Sequence, residues 1–237
     1  MRIGVFAYNF KHWKTQAGIE NLILAGYKPN VIFAADPVKL TFYKSKIRIA
    51  PRDLFLFEPK DIAKRHNIDY HVVVHNSDET AQLVRKHNLD LGIVLGARIL
   101  KPLAFEGFNI GVLNMHPGIL PENRGLDNMK WAVIKGLPQG VTTHLIDKSI
   151  DRGSMVAQRR VKIYEDDTLV DIHIRIQNLE QELMIESLKI LESTAVQNLQ
   201  PLGKGFYHKS VPPEIEASLM QRLKQYKGEH SEHAGNS

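Results

Sequence analysis

Cysteine is absent from the 237 residues, which excludes a disulfide framework, a thiol nucleophile and any Cys-based zinc site. That absence is compatible with the reducing cytoplasm, the expected location. Long apolar runs are missing too: no stretch approaches the roughly 18 apolar residues that a membrane span needs. The start, Met1 to Ala7, is apolar only briefly before Lys11, His12 and Lys14, so it reads as a first strand rather than a signal peptide, and no membrane partner is expected. Blocks of five or more basic residues are also lacking. The net charge of +5 and the pI near 9.3 are therefore dispersed, and nucleic acid is not the expected partner. A modest positive field serves equally to attract a small phosphorylated substrate or a polyglutamylated folate.

What is present is ordinary for a globular chain: 43% hydrophobic and 24% charged residues. One main unit over 1–200 is expected, with a C-terminal extension over 201–227 and a polar, disordered tail over 228–237 in which His230 and His233 are not metal ligands. Arg2 to Ala7 and Asn30 to Ala35 are short β-rich runs flanking a near-helical Ile19, Leu22, Ile23, Ala25 that Gly26 ends. Further strands are expected at Tyr70–Val74 and Leu91–Leu95, with a helix over Asp78–His87 between them. Strands apolar along their length, alternating with helices, imply an α/β fold: a Rossmann-like, mostly parallel twisted sheet with helices on both faces. Phe42 to Pro59 reads as a long connection. Downstream, a helix over Gly125–Lys135 and strands at Val141–Ile146 and Met155–Ile163 follow. Thr168 and Asp171 form a capping-box pattern before Leu169, Ile172, Ile176, Leu179 and Leu183, a helix running to about Ser193 whose stripe serves the sheet or a homodimer seam. Pro212 and Pro213 introduce a last short helix.

Asn114-Met115-His116-Pro117 ends the apolar run Ile110 to Leu113. In a strand, residues i and i+2 share a face, so Asn114 and His116 are presented side by side while Met115 points into the opposite layer. Pro117 stops the strand. The paired amide and imidazole then lie at its carboxyl edge, where open α/β sheets bind ligands. A lone Asn or His at a strand end is also commonly a satisfied turn residue.

The company the pair keeps is Leu120-Pro121-Glu122-Asn123-Arg124-Gly125, Trp131-Ala132, Gly136, Gly140-Val141-Thr142-Thr143-His144 and Ile150-Asp151-Arg152-Gly153. This ordered set resembles the core signature of the folate-dependent formyltransferases, which act on methionyl-tRNA, glycinamide ribotide or sugar nucleotides. The resemblance implies 10-formyltetrahydrofolate as donor and no metal. It implies Asn114 and His116 as stabilisers of the tetrahedral oxyanion, and Asp151 as the carboxylate that manages protons. Asp151-Arg152-Gly153 read alone is a turn, and the two readings are compatible. His144 is pocket lining on a strand. Ser149 and Ser154 lack the elbow context of a hydrolase nucleophile. On the same resemblance, the backbone of Gly96, Ala97, Arg98, Ile99 and Leu100 would read the pterin, with Asp147 closing the other side.

For the acceptor, the phosphate loop of the glycinamide-ribotide enzymes is replaced here by Ala7-Tyr8-Asn9-Phe10-Lys11-His12-Trp13-Lys14. The chain is also expected to lack the C-terminal barrel with which methionyl-tRNA enzymes grip their tRNA. Val5 to Tyr8, Gly18-Ile19-Glu20, Leu24 to Tyr27 and Asp151 to Gln158 resemble the formyltransferase domain that acts on a 4-amino-arabinose nucleotide in lipid A modification. Tyr8, Phe10 and Trp13 could stack a base while Lys11 and Lys14 neutralise a diphosphate, with Asn9 in the same substrate loop; equally, the aromatics could pack the rim of the sheet. Arg124 and Gly125 match the segment beside the amine pocket. The expected substrate is a nucleotide-linked amino sugar of the dTDP-4-amino-4,6-dideoxyhexose type, for surface polysaccharide synthesis. The alternatives are glycinamide ribotide, methionyl-tRNA, or a catalytically silent folate- or nucleotide-binding module.

Overall fold

The computed structural model describes residues 1–39, 43, 45–148 and 153–231. β1 (Ile3–Tyr8), α1 (Trp13–Leu24) and β2 (Val31–Ala35) form the expected βαβ opening. Gly26, just past α1, has φ +86°, the left-handed conformation in which a helix commonly ends. β3 (Asp69–Val72), α3 (Asp78–Lys86) and β4 (Leu91–Val94) follow the predicted pattern within a residue or two. Two short helices fall outside that pattern: α2 (Pro59–Arg65), opening on a proline at its first position, and α4 (Pro102–Phe105).

The second half begins with β5 (Gly111–His116), which ends where Pro117 removes the next ladder donor. A two-residue strand, β6 (Arg124–Gly125), then leads to α5 (Asn128–Lys135), β7 (Gly140–Leu145) and β8 (Ser154–Arg160). α6 (Leu169–Ser193) carries the predicted capping box at Thr168 and Asp171. The chain continues through β9 (Gln200–Pro201), β10 (Tyr207–His208), α7 (Pro213–Glu216) and α8 (Leu219–His230). α8 thus runs past residue 228, into the stretch expected as tail, and Tyr226 stacks on His230 at 4.3 Å within it.

Among the described residues the main sheet has the order β3-β2-β1-β4-β5-β7-β8-β9. It is parallel from β3 to β5 and antiparallel from β5 to β9. One face packs Ile19 and Leu22 of α1 and Met184, Leu188 and Leu191 of α6 on Val5, Ile32, Ile93, Leu113 and Met115. The other face packs Val84 of α3 and Ala104 of α4 on Phe6, Phe33 and Val112. The apolar positions of α6 are therefore divided within this chain: Met184, Leu188 and Leu191 cover the sheet, and the predicted stripe from Leu169 to Leu183 lies in a third cluster. That cluster joins Met129 and Val133 of α5 and Ile172 and Ile176 of α6 to Leu219, Leu223 and Tyr226 of α8, so the C-terminal extension shares a core with the sheet-covering helices.

The β2–α2 connection reaches that third cluster through Ile47 and Ile49. Glu216 of α7 pins it, accepting from Ser45 Oγ at 2.5 Å and Tyr43 Oη at 3.1 Å while pairing with Lys130 Nζ of α5 at 2.7 Å. The two ionic side chains are 3% and 5% exposed. Burial opposes ionisation of Glu216, but hydrogen bonds from Lys130, Ser45 and Tyr43 outweigh it and hold the carboxyl down at about 2. No helix among the described residues is long and apolar enough to cross a membrane.

Candidate active site at the end of β5

Met115 lies in the α1/α6 core while Val112 lies in the opposite one, so Asn114 and His116 share the face of Val112, as strand alternation requires. Across the antiparallel ladder Asn114 stands opposite His144 of β7, and Asn114 Nδ2 lies 3.2 Å from His144 Nε2. The register of β7 against β8 shifts at Thr143/His144. A bulge there re-aims a side chain beside the strand end. His144, expected as pocket lining, is thus the residue that orients the Asn114 amide.

His116 is 4% exposed, and its Nε2 lies 2.8 Å from the carbonyl oxygen of Asn123. A carbonyl can only accept, so Nε2 carries the hydrogen. Gly118 makes this contact feasible: a Cβ there would sit 2.8 Å from Asn123 O and 3.0 Å from His116 Nε2. The turn after His116 is held by Thr142, whose hydroxyl donates to Gly118 O at 2.8 Å and accepts from Leu120 N at 3.0 Å. Gln158 of β8 donates to both Thr142 Oγ1 and Leu120 O. On the opposite face Lys14 of α1 donates to Met115 O at 3.0 Å and to Glu180 of α6 at 2.7 Å. Lys14 is consequently spent on the backbone between the two candidate catalysts and does not face a diphosphate. Asp151, the expected carboxylate, lies outside the described residues.

The segment after β4 closes against β1. A Cβ at Gly96 would lie 2.9 Å from the Tyr8 ring and 3.0 Å from Tyr8 N, so the two strand ends meet only because the residue is glycine. Tyr8 Oη donates to Ala97 O at 3.1 Å, and Asn76 Nδ2 to Ile99 O at 3.0 Å. Two of the carbonyls expected to read a pterin are engaged in this way. Ile99 is exposed, Leu100 is half-buried against the Phe6 core, and Asp147, just past β7, is exposed.

Tyr8 stacks on Phe10 with ring centroids 4.9 Å apart and planes 9° from parallel. Burial pushes the Tyr8 hydroxyl up, with Arg98 opposing. The pair walls a cleft of about 620 Å³ at the ends of β1, β2 and β3, floored by Val73 and His75 and rimmed by Asp36, Glu79 and Arg98. Burial lowers the pKa of His75, whose Nε2 lies 3.0 Å from Phe33 O. Asn9 is held behind the cleft between Asp36, to which it donates at 2.6 Å, and the Tyr70 hydroxyl at 2.6 Å. Of the expected substrate residues, Tyr8 faces the cleft, whereas Lys11 is exposed and Trp13, at the start of α1, is half-buried; neither lines it. Arg124 is 5% exposed, with its guanidinium 3.4 Å from Gly205 O. Gly125 has φ +97°, and a Cβ there would lie 2.2 Å from His208 O. Both belong to a second small sheet with β10, directly after Asn123, whose carbonyl receives His116 Nε2; neither lines the cleft.

This arrangement, a doubly covered mixed sheet with an amide and an imidazole at the carboxyl end of a central strand, defines an α/β fold of the kind that binds ligands in a crevice at the strand ends. Residues 34–188 match the formyl transferase family, and the chain belongs to that family. Methionyl-tRNA formyltransferase of Flavobacterium johnsoniae is 36% identical over 107 residues, which are 45% of this chain and 34% of that protein. The chain spans 34% to 42% of the length of such curated relatives. Among solved structures, glycinamide ribonucleotide transformylase 1 of Symbiobacterium toebii superposes with a TM-score of 0.63 at 20% identity, covering 86% of this chain and 94% of that one. A sugar N-formyltransferase from Shewanella sp. superposes at 0.59 with 19% identity, covering 94% and 88%. These likenesses establish the fold.

Proposed function

We propose that the chain is a folate-dependent N-formyltransferase that moves the formyl group of 10-formyltetrahydrofolate to the primary amine of a nucleotide-linked amino sugar, of the dTDP-4-amino-4,6-dideoxyhexose kind. One observation carries this reading: Asn114 and His116 share a face at the carboxyl end of β5, and each is held by a partner of its own, His144 and the Asn123 carbonyl. The acceptor nitrogen attacks the formyl carbon, and the carbonyl oxygen gains the negative charge. The Asn114 amide and the protonated His116 ring stabilise that oxygen. His116 Nε2–H is given to the Asn123 carbonyl, so Nδ1 is the ring nitrogen assigned to the oxyanion in this reading. Collapse breaks the bond to N10 of the folate, which takes up a proton as the new amide nitrogen loses one. Asp151 is the carboxylate assigned to that transfer.

The amino-sugar reading draws support from the cleft. Its β2 and β3 end stands three to four strand spacings from β5, about 14–19 Å at ~4.8 Å per strand. An extended acceptor with a flat base at one end and an amine at the other suits such a separation better than a small amine does. The stacked Tyr8 and Phe10 offer a face for the base, and Arg98 offers charge for a phosphate. The Shewanella neighbour is named as a sugar N-formyltransferase. A second reading is favoured by the sequence relatives, which are named methionyl-tRNA formyltransferases; there the acceptor is the amine of a charged tRNA.

The test is to incubate the purified chain with 10-formyltetrahydrofolate and a panel of amines: dTDP-amino sugars, glycinamide ribotide and methionyl-tRNA. Mass spectrometry should find one added formyl group on a dTDP-amino sugar. Formylation of methionyl-tRNA alone would replace the first reading with the second. Ligand binding without product on any amine would identify a silent binding module.

A further inference from the structure

We infer that His208, in the C-terminal arm, is a positioning residue for the His116 imidazole and acts through Asn123. This rests on the reading of His116 as the catalytic ring. The arm docks on the segment after β5 through backbone bonds, Arg124 N to Phe206 O at 3.2 Å and Leu126 N to His208 O at 2.9 Å. Trp131 Nε1 adds a bond to Lys209 O at 2.7 Å. This docking carries the His208 ring into the interior, 3% exposed and stacked on Trp131 at 5.0 Å.

There His208 Nδ1 lies 3.2 Å from Asn123 Oδ1. The orientation of the Asn123 amide is fixed by its own Nδ2, which donates to Asn128 O at 2.9 Å. Its Oδ1 must therefore face His208, and since that oxygen only accepts, Nδ1 of His208 carries the hydrogen. Asn128 returns the contact, with Nδ2 donating to Asn123 O at 2.8 Å. The same Asn123 carbonyl receives His116 Nε2. Asn123, 1% exposed, is thus fixed from two sides, by Asn128 and by His208, at the place where it fixes His116.

A site chosen only for packing would favour an apolar ring. His208 is a poor filler, because its Nε2 is buried with no hydrogen-bond partner among the described residues, and such an orphan is destabilising. What the imidazole offers that a phenyl ring does not is the Nδ1 donor toward Asn123. Burial lowers the pKa of His208, with Lys135 adding to the effect. Both effects favour the neutral ring, and the contact with Asn123 Oδ1 places its hydrogen at Nδ1.

Two variants separate positioning from packing. His208→Asn keeps a donor at the place of Nδ1 and loses the ring; His208→Phe keeps the ring stacked on Trp131 and loses the donor. Positioning predicts that kcat for formyl transfer falls about tenfold in the Phe variant, with KM for the donor changed less than about twofold, and stays within about twofold to threefold of the parent in the Asn variant. The reverse ranking, or equal loss in both, overturns the proposal. A second measurement requires neither variant folding nor turnover. Long-range 1H–15N correlation spectra of the full chain, with histidine labelled at both ring nitrogens, should show His208 as the Nδ1–H tautomer and His116 protonated at Nε2 at neutral pH. Finding His208 as the Nε2–H tautomer overturns the inference even if the amine panel gives product. The expected tautomers without product would instead fault the formyl-transfer reading.

Discussion

Asn114 and His144 face each other across the β5–β7 ladder, amide nitrogen 3.2 Å from imidazole Nε2. The amide donates and the imidazole nitrogen accepts, so the ring is held with Nε2 bare and the carboxamide is held by an element other than its own strand. An oxyanion donor works only when it is already aimed before charge develops. Asn114→Ala should therefore lower kcat by about 10²–10³ with KM for the formyl donor little changed. Steady-state kinetics against the formylated product decides the matter. A loss confined to KM would show that Asn114 binds ground states only.

Gly118 offers a steric test of His116. A methyl at this position meets Asn123 O at 2.8 Å and His116 Nε2 at 3.0 Å, the two ends of one hydrogen bond. The backbone and the imidazole cannot both yield without lengthening it. Gly118→Ala should lower kcat by about tenfold or more and cost about 1–3 kcal/mol as overpacking. Chemical denaturation measured beside turnover separates the two effects. Unchanged turnover in a folded variant would mean that the His116–Asn123 bond is dispensable.

Strand alternation was enough to place Asn114 and His116 on one face and Met115 on the other, because period two is set by backbone geometry alone. The capping box of α6 was equally legible, since Thr168 and Asp171 act within one helical turn. Partners were not legible. His144 could be assigned to Asn114 only once the β5–β7 register was known, and Asn123 and His208 are 85 positions apart, with no local pattern to join them. Lys14 looked like a phosphate ligand because its neighbours are aromatic and basic; its actual partner, Glu180, is 166 positions away. α2 had a readable signal in Pro59 at its first position. α8 hid its length because Lys227 to His230 are polar, and polarity alone reads as tail.

The cleft makes a prediction about selectivity. Phe10 and Tyr8 present a stacked aromatic wall to it at the end of β1, which β4 separates from β5 in the sheet. Phe10→Ala should raise KM for the nucleotide-linked acceptor by about tenfold, the scale of one lost base–aromatic stack of about 1–3 kcal/mol. Because Phe10 follows β1, two strands from β5 in the sheet, kcat should hold within about twofold. Competition by free dTDP, measured as an inhibition constant, should weaken in parallel. Equal inhibition constants in parent and variant would move the base elsewhere.

Lys130 and Glu216 give the last prediction, and its sign follows from the direction of the shift. The Glu216 carboxyl is held at about 2 in the folded chain against an ordinary value of 4.5, so the fold binds its anion more tightly than the unfolded chain does. Such a group contributes stability that is fully present above the unfolded pKa and is lost as pH falls through the folded one. Between about pH 4.5 and 2 the parent should therefore lose stability, steeply enough to register in urea midpoints taken at half-unit steps. Lys130→Met removes the main donor and strands a buried carboxylate, at a cost of about 3–5 kcal/mol near neutral pH. In that variant the carboxyl titrates closer to its ordinary value or above it, so acidification should relieve part of the penalty and the two stability curves should converge on the acid side. Parallel curves would mean that Ser45 and Tyr43, rather than Lys130, keep Glu216 ionised.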